Sequence, residues 1–168
     1  MRTTSQSSGK IPKPIPTESQ PQDAIALLTE DHENVKAMFE QYEELGDRAH
    51  VSKHKLALQI CEALTKHTMI EEEIFYPAVR QAIKEEDMMD EAIVEHASAK
   101  DLIAQIQSME PTDDLFDAKV KVLSEMIDHH VEEEETEMFP KARKAKLDLE
   151  ELGETMAARK EQIQLPPV

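Results

Sequence analysis

The chain has 168 residues, with three glycines, 4% aromatic residues, one cysteine and a formal charge of −17. That length sets one domain as the prior expectation, and a single cysteine excludes an intramolecular disulfide. The acidity works against nucleic acid or an anionic membrane as a partner.

Alanine, leucine, glutamate, lysine, glutamine and methionine dominate, which favours helix over sheet. Residues 1–22, "MRTTSQSSGKIPKPIPTESQPQ", supply few core-forming side chains and predict a disordered tail. Neither a signal-peptide core nor a run of about 18 apolar residues is present, so we expect a soluble, cytoplasmic protein. A first helix is predicted over roughly 23–45, ending near Gly46, and a second over roughly 52–83 with Ser52 as its N-cap. A third covers roughly 87–108, and a fourth starts near Asp113, past the loop with Pro111, and runs into the 140s. A last helix at roughly 148–163 should pack on the others. Short connections make consecutive helices antiparallel neighbours. The expected fold is all-α: an up-down-up-down four-helix bundle over 23–145, with an additional C-terminal helix and tail over 146–168.

The inward stripes have spacings of three and four. The first reads Ile25, Leu28, His32, Val35, Phe39, Tyr42; the second Leu56, Ile60, Leu64, His67, Glu71, Ile74. The third reads Met89, Ala92, His96, Ala99, Ile103, Ile106; the fourth Phe116, Val120, Leu123, Ile127, His130, Glu134. Each is apolar except for a histidine, which on the second and fourth helices is followed one turn later by a glutamate.

A repeat selects the same residues. "KHTMIEEEIFYP" (66–77) and "HHVEEEETEMFP" (129–140) each place a histidine ten residues, and a glutamate six residues, before a proline. His32 and His96 are 64 residues apart; His67 and His130, like Glu71 and Glu134, are 63 apart. The chain thus reads as two copies of a helical hairpin. His129 and Glu133 lie about 100° away from the fourth stripe and should face outward.

On a helix, positions i and i+4 are neighbours, so an imidazole and a carboxylate can reach one ion. One histidine per helix and two carboxylates give six ligands converging on the bundle axis: His32, His67, Glu71, His96, His130 and Glu134. Two bridging glutamates and four terminal histidines fit a dinuclear site. One His-x-x-x-Glu on a glutamate-rich helix ordinarily marks a solvated face, and a lone stripe histidine a hydrogen-bonded core residue. Two ionised glutamates on buried stripes are different, because each costs several kcal/mol unless paired. No lysine or arginine occupies those stripes, and bound cations would remove the cost.

The other features take plainer readings. His50 and His54 should be surface residues, Cys61 a small core residue, and the remaining glutamates of the two runs solvent-facing. Pro77 and Pro140 should kink their helices. No nucleophilic triad, phosphate loop or CxxC pair is present, and no catalytic residue is assigned.

The segments "LLTEDHENVKAMF", "LTKHTMIEEEIFYPAV", "IVEHASAKDLI" and "IDHHVEEEETEMFPKAR" resemble the hemerythrin family, specifically bacterial proteins with histidine–histidine–glutamate cation-binding domains. The likeness covers roughly 23–145, and "LGETMAARK" resembles the tail of bacterial members. It implies a four-helix bundle holding two non-haem irons joined by carboxylates and an oxo or hydroxo bridge, with the six residues above as ligands. Zinc or manganese could occupy the same donors. Oxygen carriers of the family have a further histidine one turn after the third-helix histidine, where this chain has Lys100. They also have a bridging aspartate five residues after the fourth-helix histidine, where this chain has Glu135, although the repeat favours Glu134. The site is therefore more symmetric and more open, which does not suit reversible oxygen carriage. Lys36, Phe39 and Lys100 are candidates to line the pocket, the lysines with their stems alongside it and their ammonium groups outward.

The expected partner is a small oxidant: dioxygen, hydrogen peroxide or nitric oxide. Three classes of function fit. One is a peroxide-decomposing enzyme, the second an oxygen, nitric oxide or iron sensor or store, and the third a scaffold in which metal only stabilises the bundle.

Overall fold

The computed structural model describes residues 22–167; the tail expected over 1–22 lies almost wholly outside them. Five helices are present, and no strand occurs among the described residues. α1 spans Ala24–Glu44, starting from Asp23, whose side chain accepts from the Ala26 backbone N–H as an N-cap. α2 (His50–Ile70) continues through a π-helical turn, Glu71–Phe75, into an α-helical end, Tyr76–Ile83. α3 spans Glu86–Gln107. α4 (Phe116–Glu133) has the same form as α2, with a π-turn at Glu134–Met138 and an α-helical end at Phe139–Lys144. α5, Leu149–Gln162, is capped by Asp148 and packs on α1 and α2.

Local expectations failed in two places, each for a physical reason. Ser52 is not the N-cap: the Gly46–Ala49 turn lets the helix begin at His50, one residue after Ala49. That start brings Lys53, buried, onto Asp117 at 3.1 Å. The fourth helix begins at Phe116 rather than near Asp113, because Asp113 is used to close a turn by accepting from the Glu110 N–H. Pro77 and Pro140 stand in the first turn of the α-helical ends. Each comes after a π-turn in which the N–H of Tyr76 or Phe139 reaches back five residues to the carbonyl of Glu71 or Glu134. The wider turn makes room for a ring that would otherwise crowd the preceding turn.

The extra residue in each turn also rotates the rest of the helix about its axis. Past Glu71 the buried face is Phe75, Tyr76 and Val79, and Ile74 is only half-buried. Past Glu134 it is Met138, Phe139 and Ala142. The core is consequently divided in two. One cluster, with Leu28, Phe75, Tyr76, Met89, Phe139 and Met156, lies on the π-turn side. The other, with Phe39, Ile60, Leu64, Phe116 and Leu123, fills the opposite end. His32, His67, Glu71, His96, His130 and Glu134 are buried in the band between them.

Candidate metal centre

The four helices each deliver one imidazole to this band, as the 3.6-residue period of their apolar stripes requires. His32 and His67 bring their Nε2 atoms within 3.2 Å of each other, and His96 and His130 theirs within 3.1 Å. Metal–nitrogen bonds of about 2.1 Å at a right angle would separate two nitrogens by about 3.0 Å. The glutamates span the two pairs. Glu71 Oε1 lies 2.7 Å from His67 Nε2 and Oε2 lies 3.0 Å from His96 Nε2. Glu134 Oε1 is 2.6 Å from His130 Nε2, and Oε2 is 3.5 Å from His32 Nε2. Two four-residue groups result: His32, His67, Glu71 and Glu134, and Glu71, His96, His130 and Glu134. His129 is exposed and Glu133 points away with it, as the stripe indicated.

The outer nitrogens are fixed by a second repeat. Asp31 accepts from His67 Nδ1 at 3.0 Å, and Glu95 pairs in the same way with His130 Nδ1. Glu72 is 3.2 Å from His96 Nδ1, and Glu135 is 3.0 Å from His32 Nδ1. Each ring therefore holds its proton on Nδ1 and turns Nε2 inward, an arrangement that also raises the basicity of a metal-ligating imidazole. The glutamate runs are thus not simply solvent-facing: one member of each points in, the next orients a histidine across the bundle, and Glu73 pairs with Arg159 of α5. Lys100 pairs with Glu72, and Lys160 of α5 pairs with Asp31. Lys36, exposed, and Phe39, a member of the second apolar cluster, both line a cleft that also reaches His32. His50 and His54 are half-buried rather than superficial, His54 lying edge-on to Phe116. Cys61 is buried, and burial pushes its thiol up to about 12, so it is inert packing.

With the Nδ1–H groups committed outward, nothing donates to either oxygen of Glu71 or to Glu134 Oε2. Lone pairs face lone pairs, and a cation must stand between them. Without metal, that cation is a proton. Burial alone would lower His67, but Glu71 and Asp31 lift it to about 10. Burial likewise opposes His130, and Glu134, Glu71 and Glu95 lift it to about 10. Burial would raise Glu71, yet His67 and His96 hold it well below the usual carboxylate range. The donor set fits two divalent ions of borderline character, with imidazole nitrogen and carboxylate oxygen on each.

Tyr76 is a site residue that the helical stripes did not reveal. Its hydroxyl donates to Glu134 and lies 3.1 Å from His96 Nε2 and 3.2 Å from His130 Nε2. Burial, then the charges of Glu134 and Glu71, keep it protonated far above the ordinary tyrosine range. Its repeat partner 63 residues later is Phe139, which stacks on His32 at 5.9 Å as Tyr76 stacks on His96 at 5.2 Å. At this position the two halves differ by one hydroxyl. The signals were the alignment of "IFYP" with "EMFP" and the acids directly before His32 and His96 and directly after Glu71 and Glu134.

Comparison with known proteins gives three matches. Residues 23–142 match the profile of the Hemerythrin HHE cation binding domain family. A DNA nickase of Nostoc sp. is 31% identical over 122 residues, covering 73% of this chain but only 33% of that relative, so the chain spans about a third of its length. The crystal structure of a Hemerythrin HHE cation binding domain-containing protein from Mycobacterium kansasii, a homologue of Rv2633c, superposes with a TM-score of 0.72. It is 26% identical and covers 84% of this chain and 86% of that one.

Proposed function

The chain belongs to the hemerythrin HHE cation-binding domain family, and from that premise we propose that it holds two iron ions at which a small neutral oxidant reacts. His32 and His67 hold one ion and His96 and His130 the other, with Glu71 and Glu134 shared. The observation that carries this reading is Glu71: fully buried, with no hydrogen-bond donor on either oxygen, and with each oxygen aimed at a different histidine pair. When bound, the ions supply Lewis acidity and the electrons for reducing an oxygen–oxygen or nitrogen–oxygen bond.

The chain's own residues do the rest. The four outer carboxylates hold the imidazoles in register, so the donors are pre-organised. The apolar clusters above and below exclude bulk water from the band. Tyr76 holds a proton within reach of both His96 and His130, and donates it to the atom that needs it there. Peroxide decomposition is the reaction these parts suit best: breaking the O–O bond calls for a proton at the departing oxygen, which the buried Tyr76 hydroxyl is placed to lend and the second peroxide molecule to return. The nickase activity named for the Nostoc relative is not proposed for this chain, whose formal charge of −17 opposes a polyanionic substrate. Among the described residues no helix is long and apolar enough to cross a membrane.

Metal analysis of protein purified without added metal tests the reading, together with its optical spectrum and its oxygen evolution from added peroxide. Two irons per chain and rapid oxygen evolution are expected. A stable reversible oxygen adduct would instead make it a carrier, and metal-dependent melting without either reaction would make it a scaffold.

A further inference from the structure

A cavity of about 20 Å³ lies against the imidazoles on the side away from Tyr76, walled by Val35, Leu64, Ile127 and Val131. It has room for roughly one water-sized molecule. Outside it, a cleft of about 460 Å³ runs between α1 and α4. The cavity and the cleft share three residues, His32, Ile127 and Val131. Two further surface clefts, of about 530 and 440 Å³, share none with the cavity. His32 is pinned by Glu135 and by its stack on Phe139, so the two half-buried aliphatic side chains are the movable part of the partition. α1 and α4 are also the most loosely joined of the neighbouring bundle helices. The cleft's charged lining is Glu33, Asp128, Glu132 and Glu135 against Lys36 alone.

We propose that this cleft is the entrance to the metal centre and that Ile127 and Val131 are its door, admitting neutral molecules of two heavy atoms and rejecting anions and branched hydroperoxides. The inference rests on the function proposed above and names which oxidants reach the site. Size is set by the inner cavity, whose small volume suits a molecule of two heavy atoms and not tert-butyl hydroperoxide, which has six. Charge is set by the acidic mouth, which repels azide, nitrite or superoxide and is indifferent to hydrogen peroxide, nitric oxide and dioxygen.

The test uses the full iron-loaded chain, reduced and freed of excess reductant, and mixed with hydrogen peroxide or tert-butyl hydroperoxide. Each takes two electrons from the reduced iron and two protons, its O–O bond breaking to two waters or to water and tert-butanol. Wild type should strongly prefer hydrogen peroxide. Ile127→Ala/Val131→Ala should shrink that preference at least about tenfold, with two irons retained. Val131→Phe should slow nitric oxide association without changing metal content. Glu33→Lys/Glu132→Lys should speed azide association in a salt-sensitive way and leave nitric oxide unaffected. An unchanged peroxide preference in the double alanine variant, with iron intact, overturns the door even if Val131→Phe fails to fold. Iron-loaded wild type inert to both peroxide and nitric oxide would instead overturn the proposed function, and the door with it.

Discussion

Replacing Tyr76 with phenylalanine isolates one proton at the centre. The ring keeps its stack on His96 (5.2 Å, 30°) and its contact with Phe75 (6.2 Å), so little packing is lost. Phe139, nearly parallel to His32, shows that the repeat accommodates a plain ring at this position. What disappears is the hydroxyl that donates to Glu134 and approaches His96 and His130. A hydrogen bond to a charged group contributes roughly 1.5–3 kcal/mol, and a chain of this size shifts about 2–4 °C per kcal/mol. The metal-free variant should therefore melt about 3–12 °C lower. With metal bound the drop should be less than half as large, because a cation then sits on Glu134. Reaction with peroxide should slow by about 10²-fold, the usual worth of a positioned acid. Calorimetry with and without chelator measures the first effect, and stopped-flow mixing of the metal-loaded variant measures the second. An unchanged peroxide rate with full metal content would refute the proton-donor role. Loss of one ion per chain would show that Tyr76 is a ligand instead.

His130→Ala or Glu134→Ala should at least halve the metal content, whereas His129→Ala should leave it intact; elemental analysis decides, and the reverse order would discard the inward face assigned to α4. His67 and His130 are raised from an unfolded 6.5 to about 10, so their protonation stabilises the metal-free fold fully below pH 6.5. That contribution is lost as pH climbs through about 10, and melting curves of metal-free protein should decline over this window while those of loaded protein do not. Metal loading at pH 7 should accordingly expel about two protons per chain, read by titration calorimetry in buffers of different ionisation heat. Gly153→Ala places a Cβ 2.3 Å from the Gln22 carbonyl oxygen and 2.8 Å from the Ala24 nitrogen. Pushing α5 off the start of α1 should cost about 1–3 kcal/mol by thermal denaturation, and an unchanged melting temperature would refute that close approach.

The bundle was legible because its signal is periodic: apolar side chains recur at the helical spacing on four segments, and only a core can use them. The six inward polar residues were legible because the chain repeats itself, so His130 could be told from His129 by its counterpart His67. The π-turns were not, because a π-turn differs from an α-turn by one residue and leaves no side-chain pattern of its own. A proline six residues after each glutamate is its sole trace, and proline ordinarily signals a kink. Missing the turns meant missing Tyr76, since on an unbroken α-helix the residue one turn past Glu71 is Ile74 or Phe75. Asp31, Glu72, Glu95 and Glu135 were hidden for another reason: on so acidic a surface, four further carboxylates look like solvated charge until the third dimension places a ring nitrogen against each.

Those four carboxylates change the electrostatics of the centre. From the inner glutamates alone, two divalent ions would leave it positive. Including the outer four, six carboxylates face the ammonium groups of Lys100 and Lys160, leaving four formal negative charges, the charge of two divalent ions. A divalent pair would thus match the formal charge of the side chains around it, of which Glu71 and Glu134 are buried while Glu135, Lys100 and Lys160 reach solvent. Two trivalent ions would carry two further positive charges, which an oxo bridge would cancel and a hydroxo bridge would halve. On the proposed function the same side chains would therefore hold either oxidation level near neutrality, and the acidic mouth between α1 and α4 would keep competing anions away from the ions.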